Sequence, residues 1–197
     1  SRLGTEPLAA MGFSFPVVML VSFLAGGLGT GVTTLMSHAL GRRDREAAKR
    51  LTSHGLLLVV TVAASLAVVG CVTVAPVFSA LGASGRVLAL VGGYMRIWFG
   101  GAPLMALPML GNGLLISAGD SRAAGRFMML GPALNLVLDP LLIFGWLGLP
   151  AWGVRGAAAA TVLAQGASAT WLLVLLYRKH RLLVLRRWPF RDYSTSC

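Results

Sequence analysis

The chain has 197 residues, 56% of them hydrophobic and 12% charged, with a formal net charge of +11. The apolar residues come in blocks long enough to cross a bilayer, which takes about 20 residues per helix, and the charges gather in short clusters between them, so a soluble globular domain is excluded. A nucleic-acid partner is excluded too, because the basic residues separate apolar blocks instead of forming a solvated stripe with aromatic platforms.

The first residues, SRLGTEPLAA, have neither the basic region nor the cleavage site of a signal peptide, and residues 1–12 read as an outside loop. The first helix is predicted over 13–40, with Pro16 near its start and Gly26, Gly27, Gly29 and Gly31 in a cluster. Gly27 and Gly31 have the spacing that lets two helices approach closely, which predicts helix packing there. Residues 41–50, GRRDREAAKR, read as a short loop or amphipathic turn, and their Arg and Lys place them on the cytoplasmic side.

The second helix is predicted over 51–80, rich in Val and Ala, with Pro76 near its end and one charge, Arg86, in the outside link that follows. The third, over 87–118, carries Tyr94, Arg96, Pro103 and Pro108. An internal proline removes a backbone hydrogen bond and clashes with the carbonyl four residues earlier, so Pro103 and Pro108 are expected to bend or break this helix. For Tyr94 and Arg96 an interfacial tyrosine and a snorkelling arginine stand as the plain alternative to a functional role.

GDSRAAGR, residues 119–126, is again short and basic, and Asp120 or Ser121 can cap the fourth helix, predicted over 123–144. This helix holds the chain's main chemical signal. Asn135 and Asp139 are four residues apart in an apolar segment, so both point the same way. An ionised carboxylate near the centre of a spanning helix costs roughly 2.5–3.5 kcal/mol on insertion scales and usually faces a polar cavity or a partner. Pro140 follows, cannot donate to the Leu136 carbonyl, and leaves an acceptor beside the carboxylate. An amide, a carboxylate and a free carbonyl can together hold a proton or a small cation. The other reading is that Asp139 marks the helix end and meets water there.

A turn with Trp146 and Trp152 leads to the fifth helix, predicted over 156–178, whose small residues at 156–161 allow close packing and which carries Thr161, Gln165, Ser168 and Thr170. The basic stretch 182–197 is expected to be a cytoplasmic tail or linker. The result is an all-α integral membrane protein of about five transmembrane helices, N-terminus outside and C-terminus cytoplasmic, because every dense Arg/Lys cluster falls on one side. An odd number of helices with an outside start suggests a further helix before Ser1. No paired carboxylates, nucleophile elbow or His with an orienting carboxylate is present, which argues against an enzyme. Cys71 and Cys197 have no metal-ligand or disulfide spacing.

The order GDSR, a helix with Asn135, Leu138, Asp139 and Pro140 as N-x2-LDP, then LLIFG and GVRGAAAAT, resembles the multidrug and toxic compound extrusion (MATE) transporters. LAAMG, GLGTGVTTLMSHALGRRD and YMRIWFGGAP are also similar to that family, and the resemblance runs to about Arg187. It implies a twelve-helix antiporter of two six-helix lobes that exports cationic or amphiphilic compounds in exchange for H⁺ or Na⁺. This chain would correspond to helices two to six of the first lobe, with the first helix and the second lobe as missing partners and transport not expected from the fragment alone. The positions implied for the cation site are Asp139, Asn135, Tyr94 and Thr161, with Pro103, Pro108 and Pro140 bending the helices. No cofactor is implied beyond the coupling ion, and the partners are small amphiphilic or cationic substrates and membrane lipids. The family and the arginine-rich composition point to a bacterial inner membrane. Two rival readings are a flippase for lipid-linked saccharides, for which Arg96 and Arg155 are the candidate cations, and a small membrane subunit that does not transport.

Overall fold

The computed structural model describes residues 5–148 and 150–183. It contains five helices, each long and apolar enough to cross a membrane: α1 Thr5–Gly41, α2 Arg45–Ala80, α3 Gly85–Ser117, α4 Ser121–Phe144 and α5 Val154–Val174, the last continued by a π-helical turn, Leu175–Lys179. Successive helices run in opposite directions. The turns at 42–44 and 118–120 and the end of α5 therefore share one end of the bundle, here the basic end. The turns at 81–84 and 145–153 share the far end.

Two expected boundaries move. Residues 5–12, expected as loop, form the first two turns of α1. Pro7 is tolerated there because first-turn N–H groups have no helical acceptor. The loop expected over 41–50 shrinks to residues 42–44, because Asp44 caps α2 by accepting from the Ala47 N–H at 2.9 Å. The same device recurs at 118–120, where Asp120 accepts from the Ala123 N–H at 3.1 Å, as the sequence predicts.

Both basic-end turns are built alike. Arg43 (φ 60°) and Gly119 (φ 81°) take left-handed backbone just after the helix, and the next residue's N–H reaches back to the last turn. Asp44 donates to the Ala39 carbonyl at 3.0 Å and Asp120 to the Leu115 carbonyl at 2.9 Å. Each aspartate thus closes one helix with its backbone and opens the next with its side chain.

Helix α3 is the hub and packs on all four other helices. At the basic end Met36, Val59, Leu110, Leu114, Phe127 and Leu172 form one core. Towards the far end Phe78, Val91, Met95, Trp98 and Phe99 form a second. Pro103 and Pro108 do not break α3, which runs unbroken through both. The carbonyls they free belong to Phe99, which is buried, and Leu104, which is exposed. Helix α4 likewise continues past Pro140 to Phe144.

The expected glycine contacts also move. A Cβ at Gly27 or Gly31 would meet no described atom within 4 Å, whereas one at Gly29 would touch Leu110 of α3 at 3.6 Å. Gly27 and Gly31 are therefore on faces of α1 that do not pack within this bundle. The close approaches are made elsewhere, by Gly55 on Val32 and Gly101 on Val162. Of the basic stretch expected over 182–197, Leu182 and Leu183 pack on the basic-end core, and residues 184–197, Cys197 included, lie outside the described residues.

Candidate cation site

Helix α4 opens at its Asp120 cap and closes at Gly145, whose left-handed backbone (φ 72°) ends it. Asp139 lies 18 residues beyond Ser121, about 27 Å along a helix rising 1.5 Å per residue, and one and a half turns short of the far end. It is half-buried and inside the helix, with Asn135 one turn towards the basic end on the same face.

The turn at 145–153 folds back on α4. The Trp152 and Gly153 N–H groups donate to the carbonyls of Leu142 and Ile143 at 3.0 and 3.1 Å, satisfying acceptors that a helix end leaves open. Gly156 then sits against the Leu142 carbonyl, where a Cβ would collide with backbone. Further along, Gly131 of α4 faces Gln165 and Ser168 of α5. These two contacts fix the antiparallel register, and Thr161 falls at a height between Asn135 and Asp139.

Tyr94 enters from α3, and the Asp139 carboxylate acts on its phenol electrostatically. Asn135, Asp139 and Thr161 are thus brought to one level by α4 and α5, while Tyr94 of α3 packs against the far-end core. Their hydrogen bonding is incomplete in a telling way. Asn135 Oδ1 is buried without a partner. Thr161 Oγ1 donates to the Ala157 carbonyl at 3.0 Å, so its remaining capacity is to accept. The Leu136 carbonyl lacks the donor that Pro140 cannot supply. An oxygen set with spare acceptors and one carboxylate is matched to a hard cation or a proton.

Gln165 is the residue that sequence reasoning left out of the site. It is four residues from Thr161, so the two share a face of α5, and that same spacing drew attention to Asn135 and Asp139. Gln165 also borders a cavity of about 220 Å³ between α1, α2 and α3, walled by Val21, Val59, Trp98 and Met105. None of Tyr94, Asn135, Asp139 and Thr161 lines that cavity. Gln165 thus lies between Gly131 of α4 and the apolar cavity, one helical turn from Thr161.

The bundle and the polar level within it define an all-α integral membrane protein. The chain belongs to the MATE family: the family model MatE matches residues 1–141. A protein named FAD transporter from Shewanella oneidensis is 42% identical over 183 residues, which are 93% of this chain and 40% of that protein. A probable multidrug resistance protein of Bacillus subtilis is 30% identical over 183 residues, 91% of this chain and 39% of that protein. A crystal structure of a MATE point mutant matches with a TM-score of 0.86 at 34% identity, over 97% of this chain and 43% of that one. The chain therefore spans about 40% of the length of these relatives.

Proposed function

We propose that this chain forms part of the first lobe of a cation-coupled exporter, in which Asp139 alternates between a protonated or Na⁺-bound state and a state that admits substrate. The observation that carries the reading is the Asp139 carboxylate with the unpartnered Asn135 oxygen one turn away. Burial disfavours the charged form, whereas Na⁺ or a cationic compound favours it, so competition for one charge couples two fluxes. The drive is about 2.3 kcal/mol per charge per 100 mV, enough for modest uphill export. Tyr94 and Thr161 hold or relay the ion, and Pro103, Pro108 and Pro140 are the places where α3 and α4 bend between states.

The exported compounds are amphiphilic or cationic in this reading, in line with the multidrug name of the Bacillus subtilis relative. The 220 Å³ cavity is smaller than the roughly 300–1,000 Å³ of drug-sized sites, so it takes part of a substrate, with the rest of the surface supplied by a first helix and a second lobe. A second reading of the cargo, a flavin nucleotide, rests on the name of the Shewanella oneidensis relative. The membrane is the bacterial inner membrane, with the basic end in the cytoplasm, since three Arg/Lys clusters gather there. The test is export from proteoliposomes of the complete protein under an imposed H⁺ or Na⁺ gradient. Export that neither gradient alters overturns the coupling reading.

A further inference from the structure

At the far end α2, α3 and α5 border an open pocket of about 420 Å³ lined by Arg96 and Arg155, both of them exposed. Every other lining residue is apolar or glycine, among them Val74, Leu88 and Gly92. The Arg155 guanidinium lies directly over Gly93, in a place that a Cβ there would occupy. Gly93 is thus the slot that seats Arg155 against α3, three residues from Arg96 in the same helix.

Two guanidinium groups, always charged, share this pocket. Neither forms an ion pair among the described residues, and the acids of the chain are committed elsewhere. Asp44, Glu46 and Asp120 are at the basic end. Glu6 pairs with Arg86 at 3.1 Å, and Asp139 belongs to the site described above. Asp192 lies outside the described residues. Like charges gathered against apolar walls repel, and a bound anion relieves that repulsion. The first turn of α3 adds to the positive field: Gly85 lines the pocket, and the Ser84 side chain makes no capping bond to the helix N–H groups.

We propose that Arg96 and Arg155 form an anion subsite for a phosphate or pyrophosphate group at the far mouth of the lobe. Planar guanidinium forks bind paired phosphate oxygens bidentately, and two of them match a group with several such oxygens. The same chemistry is offered by a soluble phosphorylated compound and by an anionic lipid headgroup, which Arg96 and Arg155 can reach by snorkelling. The subsite is independent of ion coupling at Asp139.

The test is calorimetric titration of inorganic pyrophosphate into the complete protein in detergent freed of anionic lipid, paired with retention of phosphatidylglycerol by the protein from mixed nanodiscs. A soluble ligand gives pyrophosphate binding that weakens at least tenfold in Arg96→Gln and in Arg155→Gln. A headgroup site gives no pyrophosphate binding but phosphatidylglycerol retention that either substitution abolishes. Gly93→Ala keeps both arginines yet removes the slot, and it acts in the direction of Arg155→Gln. Asp139→Asn leaves both readouts unchanged, which separates this site from the coupling site. Pyrophosphate binding and lipid retention that are both indifferent to Arg96→Gln and Arg155→Gln overturn the proposal.

Discussion

Gly156 of α5 rests against the Leu142 carbonyl of α4, with no room between them for a side chain. That contact sets how far α5 slides along α4 and so holds Thr161 level with the Asn135–Asp139 face. Gly156→Val forces overpacking against backbone, which cannot yield as a flexible side chain does, and the cost is about 1–3 kcal/mol. Thermal denaturation of the complete protein in detergent is expected to show a clear drop in Tm, together with a loss of coupling-ion affinity as the register shifts. Full ion affinity in Gly156→Val would contradict the role given to this contact.

Asn135 offers a way to separate stability from function. Its Oδ1 is buried without a partner, and an unsatisfied buried acceptor costs on the order of 1–3 kcal/mol. Asn135→Leu removes the acceptor at similar volume. The expected result is an unchanged or higher Tm with reduced export. A fall in both would mean that the amide serves the fold.

The basic end carries a pH-sensitive clasp. Asp120 accepts from Lys179 Nζ, lies 3.3 Å from His180 Nε2 and caps α4 through Ala123, so the turn at 118–120 is tied to the end of α5. The hydrogen bond from Lys179, aided by the Ala123 N–H, holds the Asp120 carboxyl below the usual carboxylate range. A carboxyl lowered in the folded state stabilises fully above its unfolded value, about 3.9, and that stability is lost as pH falls through the lowered value. Acid titration of Tm is expected to steepen below about pH 4 in the native chain. Asp120→Asn flattens that limb and lowers Tm at pH 7. An identical acid limb in both proteins would remove the clasp.

Much of this architecture is legible in the sequence because the solvent for most of it is lipid. The five apolar blocks and the Asp120 cap follow from hydropathy and side-chain chemistry and are present as helices and cap, although α1 begins at Thr5 and the Arg-rich link expected over 41–50 narrows to 42–44. The Asn135–Asp139 pair is legible for a related reason: a carboxylate is conspicuous in an apolar helix. The errors fall where packing decides. Gly27 and Gly31 have the right spacing for close approach, yet spacing does not say which face of α1 meets a neighbour, and it is Gly29 that does. Pro103 and Pro108 point to a bend or a break in α3, and the helix, which packs on all four others, is continuous through both. Gln165 is missed because an amide in a spanning helix is a weak signal until α4 is seen beside it.

The central claim is that Asp139 carries the coupling ion. The most direct test is export by the complete protein in proteoliposomes, comparing native Asp139 with Asp139→Asn under the same H⁺ and Na⁺ gradients. The substitution keeps the size and removes the titratable charge, so the account predicts that gradient-driven export falls at least tenfold while the protein folds and inserts as before. Gradient-driven export at the native rate from Asp139→Asn would contradict it.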